Sequence, residues 1–174
     1  MAKTVQIKLF GPWNRVKNLL NNLAPNLREI AISSQRSVAE KFVRRVKAHL
    51  KNQDIPGWTP LSNRYADYKM GKFGTEDILI ATWEYYDNIK AWREGGLYQA
   101  GVPRSVSYKN GVEIARVAHI HELWSTMPGR PHRPLWNYTL KEDMGGLQGI
   151  KQMVNQIIKQ KLILKGYPVR SIRF

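Results

Sequence analysis

The sequence contains no cysteine among its 174 residues, which excludes disulfide bonds and thiolate metal sites. No apolar run approaches the roughly 18 residues that a membrane-spanning helix needs, and residues 1–9 lack the apolar stretch of a signal peptide. Walker, Rossmann and Gly-x-Ser-x-Gly motifs are also missing. We therefore expect no membrane segment and no nucleotide-dependent or serine-hydrolase chemistry, in a protein suited to a reducing cytoplasm.

Acidic residues are scarce. The chain has 28 lysines and arginines against 13 aspartates and glutamates, for a net charge of +15. Residues 1–57 carry 11 basic and 3 acidic side chains, residues 58–149 carry 11 and 10, and residues 150–174 carry 6 and none. The middle of the chain is therefore near neutral and both ends are basic, which suggests contact with DNA or with an acidic protein surface.

The hydrophobic content of 43% is sufficient for a packed core, and the length suits a single domain. We expect an α+β domain over residues 1–149, followed by a C-terminal helix and a basic arm over residues 150–174. The arm is a candidate for contact with a neighbouring subunit or for adding a strand to a partner's sheet. Its candidate contact residues are Lys159, Lys161, Lys165, Tyr167, Arg170, Arg173 and Phe174.

Residues 26–51 carry the clearest helix pattern. Asn26 is suited to cap the helix start, with Glu29 in the capping-box position, and apolar residues follow on one broad arc. We define the basic ridge as four cationic residues on the opposite side: Arg36, Arg44, Lys47 and Lys51. The ridge is either a solvated outer face or a positive surface that faces DNA or an acidic partner.

Shorter patterns predict the other elements. The alternation of apolar and polar residues predicts strands, and Gly95-Gly96 predicts a hairpin turn. Gly145, Gly146 and Gly149 are expected to interrupt the last helical region, and Gly166 to end it. The predicted elements are a strand at 4–10, a short helix at 13–23 that Pro25 ends, a helical turn at 65–69, a helix at 78–88, strands at 89–92, 97–102 and 112–115, and helices at 136–143 and 150–164.

Residues 119–136 are the most distinctive part of the chain. They contain three prolines, three histidines and two tryptophans between two periodic segments. Because proline fixes its own φ and restricts the residue before it, the segment after Glu122 cannot be plain helix or strand. We expect an ordered crossing that leads into the last helical region. Its motif residues are His121, Glu122, Arg130, Pro131, Arg133 and Pro134.

Three segments in order resemble the tail-completion, or head–tail joining, proteins of tailed bacteriophages and the related virion morphogenesis proteins. The first is Trp58-x-Pro60-Leu61-Ser62-x-x-Tyr65-x-x-x-Lys69. The second is Leu79-Ile80-Ala81-Thr82-Trp83, where that family usually has Leu-x-x-Thr-Gly. The third is Val117-Ala118-x-x-His121-Glu122, followed by Met127-Pro128-Gly129-Arg130-Pro131-x-Arg133-Pro134-Leu135. The resemblance covers roughly residues 58–140, with Trp83 in place of the usual glycine and no glycine soon after His-Glu.

The resemblance implies a small α+β fold, in which a long N-terminal helix and a C-terminal helix pack on a small antiparallel sheet. It implies a structural virion protein without catalytic residues, metal or cofactor. Such a protein works in a homo-oligomeric ring, most often hexameric, at the neck of the virion, after synthesis in the host bacterial cytoplasm. Its partners would be the connector or adaptor proteins and the tail terminator or tube, with genome DNA in the channel as a further contact and no membrane. A rotation that repeats one heterologous contact closes such a ring.

Other functions remain open at this point. The leading alternative is a sequence-nonspecific nucleic-acid-binding protein that uses the ridge and the arm. His119 and His121 would share one face of a strand, as metal ligands require. A general acid–base nuclease would use four side chains of the same region: His119, His121, Arg130 and Arg133. For His121 and Glu122 we favour a structural role, in which their hydrogen bonds fix the proline-rich crossing. Trp83, Tyr85, Tyr86 and Trp92 are core residues, interface anchors or a stacking platform.

Overall fold

The computed structural model describes residues 17–18, 21–79, 82–123 and 133–167, and it confirms the α+β class. The strand predicted at 4–10 lies outside the described residues, as does most of the helix predicted at 13–23. The elements are α1 (Leu23–Asn52), α2 (Asn63–Phe73), α3 (Glu84–Asn88), β1 (Lys90–Glu94), β2 (Leu97–Gly101), α4 (Ile114–Leu123), α5 (Trp136–Tyr138), which continues as a π-helix (Thr139–Asp143), and α6 (Gly146–Leu164).

Helix α1 begins earlier than the sequence predicts. Pro25 lies in its first turn, where a missing N–H costs no helical hydrogen bond, so proline does not end a helix there. Asn26 consequently lies inside the helix and does not cap it. Its amide Nδ2 instead donates to the hydroxyl of Tyr167 over 2.8 Å, which ties the start of α1 to the end of α6.

One face of α1 forms the wall of the core. Val46 and Leu50 of that face are fully buried and pack with Ile89, Ile114 and Leu135 from later parts of the chain. The long helix contacts both strands of the hairpin and also α6. Residues far apart in sequence therefore meet on α1, which acts as the scaffold for the rest of the described structure.

The hairpin matches its prediction. Strands β1 and β2 pair antiparallel, with Glu94 opposite Leu97, and Gly95-Gly96 forms the two-residue turn between them. Both glycines have positive φ, 58° and 85°. A two-residue turn with this conformation matches the twist of the two strands that it connects. The described sheet has these two strands alone.

Two predicted elements differ from the structure. The strand predicted at 112–115 is wrong: Glu113 makes an isolated bridge to Ser107, and α4 starts at Ile114, whose fully buried side chain packs into the core as part of a helix. Residues 112–115, Val-Glu-Ile-Ala, are too few for their pattern to distinguish a strand from the start of a helix. The helix predicted at 78–88 is limited to α3, since Trp83 before it has φ 60°.

The glycines before α6 do more than interrupt a helix. Gly145 and Gly146 have positive φ at the junction, and α6 runs on through Gly149. A Cβ atom on Gly149 would lie 1.9 Å from the carbonyl oxygen of Met144 at the end of the π-helix. A side chain is therefore excluded at Gly149, because the helix start and the preceding turn touch there.

Helix α6 lies on the outside of the molecule. Leu162 is its one buried residue, whereas Leu147, Ile163 and Leu164 are exposed. Polar contacts anchor its end to α1: the Lys165 ammonium group lies 2.7 Å from the Glu29 carboxylate and 3.0 Å from Asn26 Oδ1. Among the described helices, none combines the length and the apolar character needed to cross a bilayer.

Candidate functional site

The three segments that carry the phage resemblance meet at one place. A cavity of about 210 Å³ opens between α2, α4 and the chain that enters α5. The first segment contributes from α2, the second from the loop before α3, and the third from α4 and the start of α5. Seven of the lining residues come from these segments: Leu61, Tyr65, Lys69, Leu79, Val117, His121 and Arg133.

Arg133 is buried in the wall of this cavity, with 8% of its surface exposed. Its Nη2 donates to the backbone oxygen of Thr59 over 3.1 Å, while its buried Nε has no acceptor among the described residues. Burial lowers the pKa of the guanidinium, although arginine stays charged at any physiological pH. No carboxylate lies within ion-pair distance of it among the described residues, which include every aspartate and glutamate of the sequence.

Lys69 brings a second cation to the same cavity. Only 3% of its surface is exposed, and its ammonium group donates to the backbone oxygen of Asp77. Burial lowers the pKa of Lys69, and the nearby positive charge of Arg133 lowers it further, against the opposing effect of Asp77. Lys69 belongs to the first motif segment, but it was absent from the candidate site residues. Its position next to Arg133 depends on a contact between distant segments, which spacing along the chain does not reveal.

His121 also lines the cavity, from α4. Loss of solvent, together with the charge of Arg133, lowers its pKa from 6.5 to about 4. The imidazole is therefore neutral near pH 7. In this form it can both donate and accept a hydrogen bond without adding a third positive charge.

Glu122, the next residue, points to the opposite side and holds the start of α5. One carboxylate oxygen accepts hydrogen bonds from the backbone N–H groups of Leu135 and Trp136, at 3.0 and 3.1 Å. The other accepts from Asn137 over 2.7 Å. These contacts join the two sides of the proline-rich crossing. They support the structural role expected of Glu122, because they satisfy N–H groups that a helix start leaves without partners.

The remaining crossing residues divide between two groups. Pro134 is half-buried beside Arg133 at the entry to α5. Arg130 and Pro131 lie outside the described residues, so the predicted shape of the crossing between 124 and 132 stays a prediction.

Trp83 occupies the position where the resembling family usually has glycine. Its backbone lies in the left-handed region, at φ 60° and ψ −13°, just before α3. Glycine adopts this conformation freely, whereas a residue with a Cβ is strained there. The backbone at this position is thus the one that a glycine would favour, although the side chain is tryptophan.

The basic ridge lies along α1, and its members differ in their surroundings. Arg36 forms an ion pair with Glu40, with Nε 2.7 Å from the carboxylate. The Lys47 ammonium group lies 4.7 Å from the ring centre of Tyr86. Arg44 and Lys51 are exposed and have no ion-pair partner within the described ranges. The ridge therefore presents fewer unpaired charges than its sequence indicates.

The aromatic residues singled out in the sequence also differ in their surroundings. Tyr85 is a core residue, and its hydroxyl accepts a hydrogen bond from the Trp136 indole over 3.2 Å. Trp83 is 46% exposed and meets the ring of Tyr86 edge to face, with the ring centres 5.3 Å apart. Lys47, Tyr86 and Trp83 thus form a continuous row. Arg44 and Lys51 lie about one helical turn before and after Lys47 on α1. Trp92 lines a different groove, next to the hairpin.

The candidate arm residues lie in three settings. Lys159 and Lys161 are half-buried along α6. Lys165 and Tyr167 contact Glu29 and Asn26 of the same chain. The other candidates lie outside the described residues: Arg170, Arg173 and Phe174. The proposed role of this segment in contact with a neighbouring subunit stays a prediction.

The structure does not bring together the histidines of the metal hypothesis. His119 and His121 lie two residues apart on α4, and this spacing turns their side chains toward different sides of a helix. His119 lines a separate cavity with Trp136, whereas His121 faces Arg133. Within the described residues, no group of three or more potential metal ligands is present.

Comparisons of the chain with known protein families, curated proteins and solved structures find no match.

Proposed function

We propose that the chain is a structural protein of the neck of a tailed bacteriophage, acting in tail completion or head–tail joining. It would assemble into a ring, as the resemblance implies, and contact connector proteins on one side and tail proteins on the other. The observation that carries the proposal is the meeting of the three motif segments around the Arg133 cavity.

A second observation supports the resemblance independently. The family's usual glycine corresponds to Trp83, and the backbone there has the positive φ that glycine favours. This agreement concerns backbone geometry, so it does not depend on the side chains that suggested the resemblance. The positive φ of Trp83 is therefore compatible with a position at which the family usually has glycine.

The ridge is better suited to a protein partner than to a phosphate backbone. Two of its four cations already interact with Glu40 and Tyr86, and an exposed tryptophan lies beside them. Arginine and aromatic residues together are enriched at protein–protein contacts. The near-neutral charge of residues 58–149 also argues against a folded core dedicated to nucleic acid. We therefore propose an acidic surface of a connector or tail protein as the partner of this face.

The proposal is tested on particles of the phage that encodes the chain. Cryo-electron microscopy should show it as a symmetric ring between head and tail. The double variant Arg44→Glu/Lys51→Glu should leave full heads and free tails unjoined, because it reverses the charge of the ridge. The matched double variant Lys109→Glu/Lys141→Glu makes the same charge change at exposed sites elsewhere and should still yield joined particles. Absence of the chain from purified virions would overturn the proposal.

Nucleic-acid binding remains the second candidate because Arg44 and Lys51 are exposed, and because an exposed tryptophan, Trp83, is linked to Lys47 of the ridge through Tyr86. Under this reading the purified protein binds duplex DNA with an affinity that falls steeply with salt. The Arg44→Glu/Lys51→Glu variant would then lower the slope of log affinity against log salt by roughly 2. Binding that is absent at physiological salt would exclude this candidate.

A further inference from the structure

We propose that the cavity around Arg133 and Lys69 binds a carboxylate carried on a short apolar stem. The inference rests on the cavity itself and holds whether or not the chain is a neck protein. The described structure uses Glu122, not this cavity, to hold α5 in place. The two buried cations are therefore not accounted for by the cap of that helix.

The charge balance of the cavity points to an anion. Arg133 and Lys69 both line it, and none of the described lining residues is acidic, although the charge of Asp77 acts on Lys69 from outside the lining. Every side-chain carboxylate of the sequence lies in the described residues, and none is within ion-pair distance of the guanidinium. Buried cations are ordinarily paired with an anion. A ligand carboxylate would supply the pairing that no described residue gives to Arg133.

The donor geometry points to the same ligand class. One N–H group of the Arg133 guanidinium donates to the Thr59 carbonyl, while Nε is buried and finds no acceptor in the described part of the chain. The planar fork of arginine matches the two oxygens of a carboxylate. The neutral imidazole of His121 and the hydroxyl of Tyr65, which lies at the exposed side of the cavity, are further polar groups on the wall.

The size and the walls of the cavity favour a carboxylate over a phosphate. Leu61, Leu79 and Val117 give it apolar sides, and about 210 Å³ is room for a small group with a few carbon atoms. Sites for phosphate usually present several backbone N–H groups, often at a helix N-terminus. Here the charge comes from two side chains, and the apolar walls would contact the stem. A glutamate side chain, a chain terminus and a free short-chain acid share this chemistry.

Nuclear magnetic resonance of the Arg133 Nε–H group tests the proposal directly on the wild-type protein. Titration with butyrate should shift this resonance in a saturable manner. Equal concentrations of 1-butanol, which keeps the stem without the charge, and of inorganic phosphate should have at most a tenth of the effect. The proposal is overturned if butyrate leaves the resonance unchanged, or if phosphate shifts it as strongly as butyrate does.

Two variants locate the site. Lys69→Met removes the second cation and should weaken butyrate binding at least fivefold. Lys72→Met removes an exposed cation of the same helix, outside this cavity, and should leave binding within twofold of wild type. Equal weakening by both variants would assign the effect to general charge and overturn the site. Should Lys69→Met fail to fold, the wild-type comparison of butyrate, butanol and phosphate still decides.

Two peptides then separate the sources of the carboxylate. One has a single internal glutamate and an amidated end, and the other has no acidic side chain and a free carboxyl end. Displacement of butyrate by either peptide assigns the cavity to a carboxylate of a partner protein. Saturable butyrate binding without displacement by either peptide supports the same site with a free carboxylic acid as its ligand.

Discussion

The side chain of Glu122 lies 2.7 Å from the backbone nitrogen of Asn137, although 15 positions separate the two residues in the sequence. The same carboxylate also holds the N–H groups of Leu135 and Trp136. One side chain at the end of α4 therefore fixes where α5 begins. It sets the position of Arg133, which lies two residues before this cap and lines the cavity.

Replacement of Glu122 should cost more stability than replacement of an exposed glutamate. Glu122→Ala leaves three backbone N–H groups without their acceptor and should lower the free energy of unfolding by about 2 kcal/mol. Glu76→Ala, at an exposed loop position, should change it by less than about 0.5 kcal/mol. Urea denaturation of both variants measures the difference. Equal effects would show that the Glu122 contacts do not hold α5.

Two glycine substitutions should act in opposite directions. Gly149→Ala places a Cβ atom against the Met144 carbonyl, so the start of α6 must shift, and we expect a loss of roughly 3 kcal/mol or more. Gly71→Ala in α2 meets no atom within 4 Å and should gain about 0.5–1 kcal/mol through helix propensity. Thermal unfolding compares them. A Gly149→Ala variant as stable as wild type would contradict the close contact.

The left-handed backbone of Trp83 predicts that glycine at this position gives a more stable protein than alanine, which is the reverse of their usual order in a helix. Trp83→Gly and Trp83→Ala both lose the contact with Tyr86, but only alanine keeps the backbone strain. The glycine variant should therefore be the more stable by about 1 kcal/mol. At the exposed position Asp67 in α2, the alanine variant should be more stable than the glycine variant by a similar amount. Chemical denaturation of the four variants gives both differences, and an alanine advantage at Trp83 would refute the strain.

The lowered pKa of His121 predicts a loss of stability in mild acid. The unfolded chain binds a proton at this imidazole near pH 6.5, whereas the folded chain binds it only near pH 4. The contribution of His121 to the free energy of unfolding should thus have its full value above pH 6.5. The free energy should then fall by up to about 3 kcal/mol as the pH drops to about 4. The pKa values of Glu29 and Asp54 are also lowered, and their effect comes below the ordinary values of 4.5 and 3.8.

Denaturation between pH 6.5 and 4.5 isolates the histidine from these carboxylates. His121→Asn should flatten the dependence in that window. His119→Asn, which replaces an exposed imidazole on the same helix, should retain it. A slope that survives in His121→Asn would assign the acid sensitivity to other groups.

The sequence predicts those parts of the fold that depend on local patterns. The long helix, the hairpin around Gly95-Gly96 and the end of α6 at Gly166 follow from periodicity and turn chemistry, and the structure confirms them. The predicted start of α1 was wrong because a proline in the first turn of a helix gives the same local signal as a proline that follows the end of a helix. The prediction of a strand at 112–115 was wrong because so short a segment does not distinguish a strand from a helix.

The candidate site depended on contacts that no local pattern contains. His121 and Arg133 were identified from the proline-rich motif, but Lys69 joins them only because α2 and α4 line the same cavity. The pairing of Arg36 with Glu40 follows from helical spacing. The position of Lys47 over Tyr86 does not, since it requires the loop before α3 to return to α1.

Helix α6 is held to the rest of the described structure by one buried residue, Leu162, and by contacts of its end with Glu29 and Asn26. We therefore expect it to detach while the α1 core and the hairpin stay folded. Its amide hydrogens should therefore exchange with solvent through a partial opening that costs less free energy than global unfolding. A helix held in this way can be exchanged between two copies of the chain. Helix α6 is therefore the described segment most suited to domain swapping.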